Sequence, residues 1–159
     1  MILRQRRDWS FSLVEVTLAL GVATVSLLVI FSLLSIGLQT NQRSIQQTAS
    51  ADILSAVAAD LRATPVTNPC GNATTSTQFG ISIPAAGSTG TTTLFLNGAG
   101  QSATSQQSDS RYRMTVTFVS NGGGAKTATF ADLKITWPAG AAATNAQGSA
   151  EMFAAFDRN

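Results

Sequence analysis

From Val16 to Leu38 the chain runs for 23 residues without a charge, and its only polar side chains there are Thr17, Thr24, Ser26, Ser32 and Ser35. Wound as an α-helix at 1.5 Å per residue, such a run is roughly 34 Å long, enough to cross a hydrocarbon core of about 30 Å. Nothing nearby breaks it: the first proline is Pro65, and no glycine stands between Gly37 and Gly71. With 159 residues in all, a chain that commits this much to one apolar helix has room for one further small domain.

The flanks give the run a direction. Arg4, Arg6 and Arg7 precede it, and the next basic residue, Arg43, follows it. Positive charge favours the cytoplasmic side, so the N-terminus is expected inside and residues from about 40 onward outside. A cleaved secretory signal has an apolar region of only about 7–15 residues and a small-x-small site behind it. This run is too long, and Leu38-Gln39-Thr40 makes a poor site. A plain signal anchor accounts for length and orientation. It does not account for Glu15 at the edge of the run, since a carboxylate deep in a bilayer costs on the order of 3 kcal/mol.

The stretch Phe11-Ser12-Leu13-Val14-Glu15, behind Arg4-Gln5-Arg6-Arg7-Asp8 and ahead of the apolar run, resembles the N-terminus of the type IV pilin superfamily of pilins, minor pilins and type II secretion pseudopilins. The family motif is a basic leader, a Gly, then Phe-Thr-Leu-Ile-Glu opening a long apolar helix. Ser10 stands here where that Gly is expected, and Glu15 falls at the fifth position after it. The likeness is specific over residues 1 to 38 and looser to about 63.

The resemblance implies that prepilin peptidase cuts between Ser10 and Phe11 and methylates the new amino terminus of Phe11. It implies that Glu15, four residues on and facing the same side of the helix, pairs with the Phe11 amine of a neighbouring subunit during assembly. The implied location is the inner membrane as a single-pass protein, N-terminus cytoplasmic and C-terminal domain periplasmic, and then a filament. Implied partners are the peptidase, other pilin or pseudopilin subunits, the inner-membrane assembly platform with its cytoplasmic ATPase, and membrane lipid.

Composition narrows the remaining classes. There is no histidine, which removes the commonest general base and metal ligand. The sequence pI of about 9.2 suggests a basic protein. However, three of the ten basic and one of the eight acidic residues lie in the leader that the resemblance implies, leaving seven of each. No downstream Lys/Arg cluster with aromatics appears, so nucleic acid is not an expected partner. No catalytic residue, cofactor or metal site is expected: Asp109 and Asp132 are isolated, and Gly122-Gly123-Gly124 lacks the Lys and Ser/Thr of a phosphate loop. Asn72-Ala73-Thr74 fits a glycosylation sequon, a pattern common by chance. Cys70, the only cysteine, is open to three fates: buried, a free thiol, or a bridge to another chain.

Beyond the apolar run, Ile45, Ala49, Ile53, Val57 and Leu61 recur every four residues, with Ala56 between and Asp52, Asp60 and Arg62 off the stripe. This predicts that one helix continues from about 12 to 63, ending before Pro65, and lays its second half on a globular domain. From residue 70 the composition turns to Gly, Ser, Thr, Ala and Asn. Strands are predicted over 79–83, 92–96, 111–119 and 127–137, with a last one over 150–156. In the pair 111–119 and 127–137, Tyr112, Met114, Val116 and Phe118 share one face and Ala131, Leu133, Ile135 and Trp137 another. Residues Asn121 to Ala125 would join them as an antiparallel hairpin. Residues 87–90, 97–110 and 139–148 read as polar connectors. The expected architecture is α+β: a leader (1–10), an apolar assembly helix (11–38), its amphipathic continuation (39–63), and a small antiparallel β domain (64–159) packed on the helix. This agrees with a pilin-like fold. The order of the strands and the segment Leu133-Lys134-Ile135-Thr136-Trp137-Pro138 resemble minor pilins of the V type and pseudopilins of the I type, and, more loosely, protein B of the Verru_Chthon cassette.

Overall fold

The computed structural model describes residues 12–65, 67–120 and 128–157. The fold is α+β, with one long helix, α1 (Leu13–Ala63), followed by seven strands. They are β1 (Thr74–Thr75), β2 (Ser82–Ile83), β3 (Gly90–Asn97), β4 (Ser102–Ala103), β5 (Ser110–Val119), β6 (Thr129–Trp137) and β7 (Gly148–Phe156). Internal contacts divide the chain into two units at Ile45/Gln46, a boundary that falls within α1.

In the first unit α1 carries the uninterrupted apolar run. Ser12 opens it, its carbonyl accepting from the N–H groups of Glu15 (3.0 Å) and Val16 (3.2 Å). In the second unit α1 ends at Ala63, two residues before Pro65. Proline disfavours helical geometry in the residue before it, here Thr64, whose hydroxyl turns back to the Asp60 carbonyl at 2.9 Å.

The sheet of the second unit has five antiparallel strands in the order β4-β3-β5-β6-β7. Each long strand alternates, as a sheet with one covered face requires. Leu94 and Leu96, then Tyr112, Met114, Val116 and Phe118, then Ala131, Leu133, Ile135 and Trp137, then Ala154 and Phe156 point into one core. The same core takes Leu54, Val57, Ala58 and Leu61 from α1, and Phe79, Ile81 and Ile83 from the β1–β2 hairpin. Each large side chain buried this way contributes about 2 kcal/mol.

The β5–β6 hairpin and β7 match expectation, with β7 starting at Gly148 rather than at 150. The loop proposed at Asn121–Ala125 lies outside the described residues. Three expectations need correction. The strand expected over 79–83 is only Ser82–Ile83, because Thr77–Phe79 form a turn that Gly80 leaves with φ +65°. The connector over 97–110 contains β4, which pairs with Phe95 and Leu96. Most informatively, of the stripe at every fourth residue Val57 and Leu61 lie on the buried face of α1, which is completed by Ser50, Leu54, Ala58 and Asp60, while Ile45, Ala49 and Ile53 do not. At 3.6 residues per turn, steps of four drift by about 40°, so Ile45 lies about 160° around the helix from Leu61. It is 60 % exposed, while Ala49, Ile53 and Ala56 sit at the margin of the core. Ser50 can occupy a buried position because its hydroxyl donates to the Gln47 carbonyl at 2.8 Å.

Candidate functional site: an apolar helix with one carboxylate

The first unit offers a surface rather than a cleft. Every large apolar side chain from Leu13 to Leu38 is exposed, between 53 % and 80 % of its area. Apolar surface on this scale marks contact with a membrane or with other protein. The segment is long and apolar enough to span a bilayer, and it is the one helix of that kind among the described residues.

Four of its five hydroxyl groups are consistent with a dry environment. Thr17 donates to the Val14 carbonyl (2.9 Å), Thr24 to Leu20 (2.7 Å), Ser26 to Val22 (2.8 Å) and Ser32 to Leu28 (2.9 Å). A hydroxyl donor in hydrocarbon without an acceptor costs several kcal/mol, and these four find acceptors one turn back on their own helix.

Glu15 stands in the first turn of α1 with its side chain exposed. A carboxylate there complements the positive end of the helix dipole, worth roughly 0.3–1 kcal/mol. Ser10 and Phe11, the expected cleavage and methylation positions, lie outside the described residues, so Glu15 is the part of the expected site whose setting is described.

The second unit holds a carboxylate from off the predicted stripe. Asp60 is only 5 % exposed. One oxygen accepts from the Thr77 hydroxyl (3.1 Å) and the Gln78 N–H (3.0 Å), and the other from the Phe79 N–H (3.1 Å). The Ser76 hydroxyl also donates to it. Burial alone would raise its pKa. The hydrogen bonds from Ser76, Gln78, Phe79 and Thr77 together outweigh that effect and hold the carboxyl below the usual aspartate value. Asp60 therefore clamps the β1–β2 turn to α1 and aims Phe79, Ile81 and Ile83 at the core. One signal was available in the sequence: a carboxylate in the last turn of a helix opposes the dipole and needs donors from elsewhere.

The second unit has a larger hollow. A cavity of about 320 Å³ is lined by Ala49, Ile53, Ala56, Phe79 and Gly98, with Asp52 as its one charged group. Asp109, in the segment between β4 and β5, is engaged by the Asn97 amide at 3.1 Å. Among the described residues, no three Cys, Asp or Glu side chains come together in a metal-binding group. Cys70 is half-buried and makes no disulfide. Comparison with protein-family models, curated proteins and solved structures finds no match.

Proposed function

We propose that this chain is a structural subunit of pilin type, a minor pilin or pseudopilin of a type IV pilus or a type II secretion-like filament. The observation that carries the proposal is the first half of α1. It is apolar on every side and wholly exposed, with a single carboxylate in its first turn. In a helix that only anchors, that carboxylate would do no more than complement the helix dipole. A helix that later bundles with copies of itself needs a polar contact to fix its register.

In this proposal the chain enters the inner membrane with its N-terminus inside. Prepilin peptidase cuts after Ser10 and methylates Phe11. The run Val16–Leu38 then exchanges lipid for the same helices of neighbouring subunits. Glu15 accepts the Phe11 ammonium of a neighbour, which offsets the cost of taking the carboxylate out of water. The sheet unit faces outward and makes lateral contacts. The work is done by packing, not by bond chemistry.

One observation favours a second reading: Ser10 replaces the glycine of the cleavage motif. An uncleaved chain would be a single-pass anchored binding module that does not assemble. Intact mass and N-terminal peptide mapping of the protein from its native membrane separate the two. A chain beginning at Phe11 with one added methyl group supports the subunit. A chain beginning at Met1 favours the anchored module.

A further inference from the structure

The two edges of the sheet differ. On one side, β3 carries β4 at its far end, and Pro84 packs against it at Gly90, where an added Cβ would stand 3.3 Å from the proline ring. On the other side, β7 pairs with β6 along its whole length, from Gly148 opposite Trp137 to Phe156 opposite Thr129, and ends the sheet. Edge strands are normally guarded by Pro, Lys, a bulge or shortness. Across its nine residues β7 has none of these. Its only charge, Glu151, is held by Lys134 of β6 in an ion pair. The core beneath this margin is also incompletely covered, since Ala150 and Met152 point inward yet are only partly buried. On the outer face, Phe153 is 63 % exposed and stacks on Phe130 with ring centroids 5.6 Å apart.

We infer that β7 pairs antiparallel with β7 of a second copy of this chain, about a two-fold axis at Phe153. Two-fold pairing of one strand with itself keeps inward residues beside inward residues only if some residue faces its own copy. An axis at Glu151 would set two carboxylates opposite each other, which is unfavourable. An axis at Phe153 sets aromatic against aromatic, Glu151 opposite Ala155, and Met152 opposite Ala154. It extends the Phe130–Phe153 stack into a run of four rings. It also brings a second inward row beside Ala150 and Met152, at the margin where the core is thin. The inference does not rest on the proposed function, because it uses nothing from the apolar helix.

The test uses the full-length chain in detergent micelles, with Cys70→Ser as background so that only introduced thiols react. Glu151→Cys and Ala155→Cys proteins are purified separately, then oxidised mildly, each alone and both mixed. The proposed register places positions 151 and 155 of two copies directly opposite, about 5 Å apart between Cα atoms and within disulfide range. Like positions stand four residues apart along the strands, about 13 Å. The expected result is a disulfide dimer in the mixture and none in either protein alone. Adding Phe153→Lys to both proteins sets two ammonium groups at the axis and should abolish the cross-link while the melting curve persists. Equal cross-linking in all three samples, no cross-link in the mixture, or a cross-link indifferent to Phe153→Lys in a folded protein overturns the inference. If Phe153→Lys fails to fold, the comparison of mixed with separate samples still decides. A failure here leaves the Phe11–Glu15 reading untouched, since that reading is judged by the processed mass.

Discussion

Trp137 faces Gly148 across the β6–β7 ladder, and its indole fills the space where a side chain at 148 would begin. A Cβ built on Gly148 would stand 2.5 Å from Cε2 and 2.8 Å from Nε1 of the indole. The ring is fixed from another side by Tyr112, edge-on with centroids 6.3 Å apart. Glycine is thus required at 148 by the volume of a neighbour, not by backbone conformation. Gly148→Ala should cost about 1–3 kcal/mol by overpacking, read as a lower midpoint in chemical denaturation. The cost should largely disappear when Trp137→Ala is combined with it, which a double-mutant cycle would reveal.

Asp60 gives a pH prediction. Its carboxyl is held below the ordinary value in the folded chain. The resulting stability is therefore complete above the unfolded pKa of about 3.9 and is lost as pH falls through the lower, folded value. The sheet unit should lose stability on acidification below about pH 4, and Asp60→Ala should flatten the profile over that window. At neutral pH the same substitution leaves the Gln78 and Phe79 N–H groups without an acceptor. The expected loss is about 3 kcal/mol, measured as a shift of the unfolding midpoint.

The face of α1 that enters the core can be checked by a contrast. Leu54→Ala should destabilise the sheet unit by about 2–5 kcal/mol. Ile45→Ser, at a position the every-fourth stripe would also have put in the core, should change its unfolding by less than about 0.5 kcal/mol. Equal effects would mean that the helix is rotated from the orientation described.

If the chain is the filament subunit proposed above, Glu15→Ala should leave membrane insertion intact and prevent incorporation into the filament. Fractionation of membranes and of sheared filaments measures both. Unchanged incorporation would remove the role proposed for the carboxylate.

These contrasts show where the sequence was informative. The β5–β6 hairpin was legible because Tyr112, Met114, Val116 and Phe118 alternate strictly opposite another alternating run, and the helix end because Pro65 follows Ala63. The rotation of α1 was not, since Ile45 looks like a core residue and Ser50 does not, and only the 3.6-residue period separates them. β1 and β4 have two residues each, too few to show a period. The role of Asp60 depends on donors at Ser76 to Phe79, brought to it by the hairpin fold and not by local spacing. Glu15 was legible as a charge at the edge of the apolar run, and the helix holds it in its first turn.

The hydroxyl groups of α1 carry one further consequence. Thr17, Thr24, Ser26 and Ser32 each direct their single hydrogen at a carbonyl of their own helix. Toward a neighbour they offer lone pairs alone. A second copy of this segment would bring the same four acceptors, so these four hydroxyls could not by themselves lock two such helices at a chosen rotation. In the proposed assembly their mutual fit would then rest mainly on shape, letting one helix slide or turn against another at little cost until a charge at its end stops it.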